Sequence, residues 1–245
     1  MAKPRPDTDP GQQSKSGGDL TLRVISAAAL APLAIGAAYF GGPLFSLFWI
    51  VAGAGVLWEW TQLVAAGRLS PSEKRLWLAG GALYAAVLAA APILLRRDPE
   101  FGFVAIVLLF AVVWTTDIAA YFAGRLIGGP KLWPKASPKK TWSGALVGTA
   151  AAIIAGAAVA HAAGIGNLAA IATLSLVLSA ASQVGDLFES TIKRRFGAKD
   201  ASKLIPGHGG LMDRLDGFVA AAAVAAVIAL ARGGLSAPSR GLLIW

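Results

Sequence analysis

The stretch STIKRRFGAKDASKLIPGHGGLMDRLD, residues 190–216, separates two apolar runs in the C-terminal part of the chain. It gathers Lys, Arg and Asp residues, several glycines and one of only two histidines in a protein that is otherwise mostly apolar. The apolar runs on either side are about 20 residues long, the length that an α-helix needs to cross the hydrocarbon core of a bilayer. We therefore interpret residues 190–216 as the chemical centre and the rest of the chain as a membrane scaffold that holds it.

The composition agrees with a membrane scaffold. Of the 245 residues, 56% are hydrophobic and 14% are charged, whereas soluble domains carry about 25% charged residues. Backbone polar groups must be paired inside lipid, so long apolar runs there are helical. The sequence predicts an all-α, polytopic transmembrane bundle. The absence of cysteine excludes disulfides and thiolate metal sites, and the net charge of +9 fits basic loops of a membrane protein better than nucleic-acid binding.

We predict about seven spans, with eight or nine possible if the fourth is split or the C-terminal tail is recruited. Residues 1–21 are predicted to be a disordered cytoplasmic tail, residues 22–232 a single membrane-embedded catalytic domain and residues 233–245 a short C-terminal tail. The predicted spans are residues 22–40, 43–65, 76–95, 101–127, 142–163, 168–188 and 215–231.

The distribution of basic residues predicts the orientation of the bundle. With the N-terminus in the cytoplasm, all but four of the 22 Lys and Arg residues fall on the cytoplasmic side, as expected from the excess of basic residues in cytoplasmic loops. The four exceptions are Arg96, Arg97, Arg232 and Arg240. This layout predicts a multi-pass protein of the cell (inner) membrane with its active site on the cytoplasmic side.

Two pairs of carboxylates flank the stretch. Asp186 and Glu189 stand three residues apart at the end of the sixth span, a spacing that puts both on one helix face. Asp213 and Asp216 repeat this spacing at the start of the seventh span, near a helix N-terminus that favours negative charge. Converging carboxylates are typical of a site for a hard cation such as Mg²⁺. Ion pairing of these acids with Lys193, Arg194 and Arg214 is the alternative.

A glycine-rich segment precedes the seventh span. Pro206 is followed by Gly207, His208, Gly209 and Gly210. Backbone N–H groups at such a bend, next to a helix start, can bind phosphate. A tight loop without a ligand is the alternative from the glycines alone. The combination with nearby acids and bases favours phosphate binding, because bases contact phosphate oxygens and acids hold the bridging metal.

Polar residues outside the stretch extend the candidate site. Lys139 and Lys140 are candidates to bind a lipid phosphate or a nucleotide, although basic residues at this position also act as membrane anchors. Asp117, Tyr121 and Arg125 recur every four residues in the fourth span. They predict one polar stripe that lines a headgroup cavity or forms a polar contact between helices.

One acidic residue is interpreted differently from the others. Glu59 lies between two tryptophans near the end of the second span. We interpret it as structural, part of an aromatic belt at the membrane interface.

These motifs resemble the signature of phosphatidate cytidylyltransferases, the CDP-diacylglycerol synthases. The likeness covers about residues 110 to 217. The main motif is Ser190-x-x-Lys193-Arg194-x₄-Lys199-Asp200-x₅-Pro206-Gly-His-Gly-Gly210-x-x-Asp213-Arg214-x-Asp216. Three outlying motifs are also similar: Asp117-x-x-Ala120-Tyr121-x-x-Gly124-Arg125, Ser137-Pro-Lys-Lys-Thr141 and Gln183-x-Gly185-Asp186.

The resemblance implies a reaction of CTP with phosphatidate that gives CDP-diacylglycerol and pyrophosphate. It implies Mg²⁺ with K⁺ as a second cation, a lipid bilayer as the setting and a homodimer. Its catalytic residues would be Asp186, Asp213, Asp216, Lys193 and Arg214, and its metal ligands Asp186, Asp213, Asp216 and Glu189. Its substrate contacts would be Ser190, Gly207, His208, Gly209, Gly210, Lys139, Lys140, Asp117, Tyr121 and Arg125.

Two other membrane functions are compared with this one. A cation-coupled transporter using Asp117, Asp186 and Glu189 would place its acids near the middle of the membrane, whereas most acids here stand at predicted cytoplasmic helix ends. An enzyme that transfers an alcohol onto a CDP-lipid would carry the pattern Asp-Gly-x-x-Ala-Arg…Gly-x-x-x-Asp-x-x-x-Asp, which this sequence lacks.

Overall fold

The computed structural model describes residues 30–202, 204 and 209–245. The predicted tail at residues 1–21, the first eight residues of the predicted first span, and Gly207 and His208 of the glycine-rich segment lie outside the described residues.

The described part of the chain is a bundle of helices with one short hairpin. Its elements are α1 (Leu30–Phe40), α2 (Gly42–Ala66), α3 (Pro71–Arg96), α4 (Gly102–Leu126), β1 (Lys131–Trp133), β2 (Ser137–Thr141), α5 (Trp142–Ala162), α6 (Leu168–Arg195), α7 (Met212–Gly233) and α8 (Pro238–Leu243). The helices α2 to α7 are each long and apolar enough to cross a membrane, which confirms the predicted polytopic transmembrane bundle.

Local sequence signals explain where several helices begin. The α2 helix starts after Gly41, whose positive φ of 64° suits glycine, and has proline in its first turn. The α3 helix starts with a capping box in which Ser70 and Glu73 satisfy each other's backbone N–H groups. Asn167 caps α6 by accepting a hydrogen bond from the amide of Ala170.

The end of α6 differs from the sequence prediction. The predicted span stops at residue 188, where the apolar run ends, but α6 continues to Arg195, about two turns further. Helical hydrogen bonding does not require apolar side chains, and basic residues in the last turn suit the negative end of the helix dipole. Ser190 and Lys193 therefore project from a helix and not from a loop.

The basic loop between α4 and α5 forms an antiparallel hairpin. Lys131 pairs with Thr141, and Trp133 pairs with Ser137. Thr141 also caps α5 by accepting a hydrogen bond from the amide of Gly144. The hairpin brings β2, which carries Lys139 and Lys140, against the ends of α4, α5 and α6.

Glycines let the helices approach closely inside the bundle. A Cβ atom at Gly144 would lie 2.7 Å from the carbonyl oxygen of Ala120, and one at Gly148 would lie 2.7 Å from that of Thr116. Both glycines are buried in α5 against α4. These small residues therefore serve internal packing, as is common where helices meet in lipid.

Replacing Gly185 with Ala is expected to lower the unfolding temperature in detergent. Its Cβ would lie 2.6 Å from the backbone oxygen of Asp216 and 2.7 Å from the Cβ of Ala220, so α6 and α7 would have to separate. Overpacking of this kind costs about 1–3 kcal/mol. Gly36→Ala in α1 is the matched control, because no atom of the described residues lies within 4 Å of its Cβ position. Equal unfolding temperatures for the two variants would contradict the close approach of α6 and α7.

The C-terminal residues fold back onto the bundle. Leu242 and Leu243 of α8 are fully buried, and Ser239 donates a hydrogen bond to the carbonyl oxygen of Leu95 at 2.6 Å. The amide of Arg240 donates to Asp98 Oδ2 at 3.0 Å. The α8 helix is therefore fixed to the corner between α3 and α4.

Candidate active site

The predicted site residues that the structure describes lie at one end of the bundle. This end is formed by the C-terminal ends of α4 and α6, the hairpin and the N-terminal end of α7. The opposite end holds Arg96, which donates hydrogen bonds to the carbonyl oxygens of Ala38 and Tyr39, together with α8. The fold thus collects into one region residues that are up to 99 positions apart, from Asp117 to Asp216.

In the structure the four carboxylates pair across the two helices, Asp186 with Asp216 and Glu189 with Asp213. The first of these carboxylate pairs joins α6 to α7. Asp186 and Asp216 lie within hydrogen-bonding distance of each other, and the ammonium group of Lys140 forms an ion pair with Asp186 Oδ2. The amide of Gly217 donates to Asp216 Oδ1 at 2.8 Å. Two carboxylates this close repel each other unless a proton or a cation lies between them. Lys140 from the hairpin supplies part of that compensation.

The second carboxylate pair is bridged by a lysine. Lys193 Nζ lies 2.7 Å from Glu189 Oε2 and 2.5 Å from Asp213 Oδ1. The other oxygen of Asp213 accepts hydrogen bonds from the amides of Gly210 at 2.7 Å and Ala201 at 3.0 Å. Glu189 is fully buried. Lys193 therefore neutralises a carboxylate that has no access to solvent, and it links α6 to the first turn of α7.

The polar stripe of α4 borders the first pair. Asp117 is exposed and lies within electrostatic range of Lys140 and Asp186. Tyr121 lies about one turn further along α4 and Arg125 about two. Arg125 donates a hydrogen bond to the hydroxyl of Tyr121 at 3.0 Å, and both side chains are exposed. The stripe is therefore open at the same end of the bundle as the carboxylates.

The glycine segment wraps around a carboxylate of the site. Gly209 has a positive φ of 84°, and a Cβ there would lie 2.9 Å from Asp213 Oδ2. The amide of Gly210 is bound by that same oxygen. The N–H group of Gly210 thus serves Asp213, and phosphate binding by the segment stays a prediction.

The remaining predicted contacts are accessible. Lys139 and Arg214 are exposed, and Ser190 is half-buried on α6. Their positions border the two carboxylate pairs, on β2, α7 and α6 respectively.

The donor chemistry of the site fits a hard cation. All four predicted ligands offer carboxylate oxygens, which Mg²⁺ prefers. Oε2 of Glu189 is paired with Lys193, whereas its buried Oε1 accepts no hydrogen bond from any described residue. Among the described residues, however, no three Asp, Glu or His side chains converge on one point. The acids form two lysine-bound pairs, and their role as metal ligands stays a prediction.

Glu59 has a role that the sequence interpretation missed. It is fully buried and accepts hydrogen bonds from the amides of Leu211 and Met212 at the start of α7. Its assignment to an interfacial aromatic belt is therefore wrong, although its structural character is confirmed. The available signal was a carboxylate inside an apolar span, which is costly unless it is bound.

Comparison with known proteins shows the family to which the chain belongs. The sequence profile of the cytidylyltransferase family matches residues 67–231, a range that includes both carboxylate pairs and the hairpin. A Brucella suis protein named phosphatidate cytidylyltransferase is 42% identical, over 84% of this chain and 92% of the relative. A Rickettsia bellii protein of the same name is 32% identical, over 86% of this chain and 91% of the relative. The resemblance seen in the sequence is confirmed, and the chain belongs to the cytidylyltransferase family and is an enzyme of the nucleotidyltransferase class.

Proposed function

We propose that the protein transfers the cytidylyl group of CTP to phosphatidate, giving CDP-diacylglycerol and pyrophosphate for phospholipid synthesis. The observation that carries this proposal is the grouping of four carboxylates and two lysines at one end of a membrane bundle. The identity of the two substrates is inferred from the relatives, which are named phosphatidate cytidylyltransferase.

The residues suit the chemistry of this transfer. A phosphate oxygen of phosphatidate attacks the α-phosphorus of CTP, and the bond to pyrophosphate breaks with its electron pair leaving on pyrophosphate. The attacking phosphate monoester is already anionic near neutral pH, so no strong general base is needed. The main obstacle is repulsion between two anions, and positive groups fixed in place lower it.

The two lysines are placed to supply that positive charge. Lys140 lies on the hairpin beside Asp186, and Lys193 lies between Glu189 and Asp213. Both ammonium groups can donate to phosphate oxygens brought to this end of the bundle. Mg²⁺ held by the carboxylates would neutralise further charge on the phosphates. Arg214, exposed on the first turn of α7, is placed to contact the same anions.

The basic residues support a cytoplasmic active site. The end opposite the carboxylates carries Arg96 and Arg232 near its helix ends. The carboxylate end carries the lysines of the hairpin and the Lys193–Arg195 run. An excess of basic residues marks the cytoplasmic side of a cell membrane protein, and CTP is found on that side.

The proposal is tested with purified protein in detergent. Labelled CTP, phosphatidate and Mg²⁺ are expected to give a lipid-soluble cytidine product and an equal amount of pyrophosphate. Removing Mg²⁺ with a chelator is expected to abolish the product, and restoring Mg²⁺ to recover it. Diacylglycerol in place of phosphatidate is the matched control, because it lacks the attacking phosphate. The proposal is wrong if folded protein forms no labelled lipid from phosphatidate under these conditions.

Cation transport has weaker support. Asp186 and Glu189, two of the three acids that such a path would use, are each paired with a lysine. A homodimer stays a prediction.

A further inference from the structure

Glu59 connects the α2 helix to the beginning of α7. Its Oε1 accepts hydrogen bonds from the Ser202 hydroxyl at 2.5 Å and from the amide of Leu211 at 2.8 Å. Its Oε2 accepts one from the amide of Met212 at 2.7 Å. The side chain is fully buried. Both oxygens of a buried carboxylate are thus bound by donors more than 140 positions away in the sequence.

These contacts replace a local helix cap. The first N–H groups of a helix have no partner within the helix, and the N-cap residue of α7 is Leu211, whose apolar side chain cannot accept hydrogen bonds. Glu59 accepts from two of these N–H groups. A carboxylate at this place also interacts favourably with the positive end of the helix dipole, and hydrogen bonds to an ionised acceptor are stronger than neutral ones.

The same segment carries Asp213. A Cβ at Gly210 would lie 2.8 Å from Glu59 Oε1, so the backbone of Gly210 passes directly over Glu59. The amide of Gly210 in turn donates to Asp213 Oδ2. A shift of this segment away from Glu59 would therefore move a hydrogen-bond donor of Asp213 and the first two turns of α7, on which Asp213 and Asp216 stand.

The α2 helix also packs against α7 at a second place. The indole of Trp49 stacks on the ring of Phe218 in α7, with centroids 4.7 Å apart and an angle of 8°. Glu59 lies ten residues further along α2, about 15 Å away along the helix axis. The two helices are therefore joined at two levels, one by an aromatic stack in the core and one by Glu59 at the active-site end.

We propose that Glu59 is a positioning residue for nucleotidyl transfer, which fixes Ser202, residues 210–212 and the start of α7 so that Asp213 and Asp216 keep their places. This inference rests on the proposed function. It assigns no contact with substrate to Glu59, because the side chain is enclosed by the protein.

The test is Glu59→Gln, compared with Glu73→Gln. Glutamine keeps the size of the side chain, but its amide nitrogen faces an N–H donor where a carboxylate oxygen accepted one. We expect kcat per folded molecule to fall about 10- to 100-fold, the usual effect of losing a partner that orients a ligand of the site, with little change in the KM for phosphatidate. Glu73→Gln is the matched control, because Glu73 also binds a helix N-terminus but is exposed and serves only α3.

Hydrogen exchange supplies a readout that does not depend on activity. In Glu59→Gln, peptides covering residues 209–216 are expected to exchange faster, while peptides from α4 and α5 keep the wild-type rate. Ser202→Ala removes the hydroxyl that donates to Glu59 and accepts from the amide of Leu204, but it leaves the two amide donors of Glu59 in place. It is therefore expected to have a smaller effect on both readouts.

The outcomes separate the two proposals. Unchanged exchange at residues 209–216, unchanged kcat, or faster exchange throughout the bundle would each overturn the role of Glu59. If the wild-type protein shows no cytidylyl transfer, the proposed function fails and the positioning role for that reaction fails with it. Local exchange in Glu59→Gln would then still show whether Glu59 holds the segment, so the two failures are distinguishable.

Discussion

Replacing Asp213 with Asn is expected to lower kcat for cytidylyl transfer about 10²- to 10³-fold, the scale reported for removal of one preorganised electrostatic contact. The amide oxygen can still accept the hydrogen bonds that Gly210 and Ala201 donate to Asp213. The substitution removes the charge that faces Lys193 and that a cation would need. Steady-state kinetics of the purified variant measure the loss of kcat. Its size-exclusion elution volume and its circular dichroism spectrum show that the fold persists.

Asp98→Asn is the control for this prediction. Asp98 is also a buried carboxylate that accepts backbone hydrogen bonds, from Phe101 and Arg240, but it lies at the opposite end of the bundle. Its replacement is expected to leave turnover close to the wild-type value. Turnover near that value in Asp213→Asn would refute a catalytic role for Asp213.

Replacing Lys193 with Met is expected to destabilise the protein by about 3–5 kcal/mol, because it leaves a buried charge without its partner. Glu189 is fully buried, and the Lys193 ammonium group lies 2.7 Å from it. Methionine fills a similar volume without charge, so the loss reports electrostatics more than packing. Thermal unfolding in a fixed detergent measures the effect.

A double variant tests whether Glu189 is the reason. Adding Glu189→Gln removes the unpaired charge, so Lys193→Met with Glu189→Gln is expected to be more stable than Lys193→Met alone. With the Glu189→Gln single variant as the fourth protein, the cycle gives the coupling energy between the two neighbouring side chains. A double variant that is no more stable than the single one would show that Lys193 stabilises the fold by another route.

The sequence predicted the helices correctly where an apolar run of spanning length is bounded by helix-breaking or helix-starting residues. Glycine and proline at positions 41–43 separate α1 from α2, and the predicted start of α5 at residue 142 is confirmed. The end of α6 was placed too early because hydropathy falls at residue 188 while the helix continues through charged residues. The hairpin at residues 131–141 was interpreted as a loop, because its register depends on backbone pairing and not on an apolar pattern.

The sequence predicted which residues form the site, but not which of them contact each other. Spacing predicted that Asp186 and Asp216 lie on neighbouring helix ends, and Lys193 was weighed as an ion partner for the acids. The pairing of Lys140 with Asp186 depends on the hairpin, which the sequence did not reveal. The role of Glu59 depends on which distant amides face it, and helix periodicity carries no such information.

The return of α8 to the corner between α3 and α4 has a practical consequence. Because α7 is long enough to cross a membrane and runs from the carboxylates to the end of the bundle that holds α8, Trp245 is expected on the side of the membrane opposite the proposed site, whichever way the protein is inserted. A reporter enzyme fused after Trp245 would therefore sample the compartment that the active site does not face.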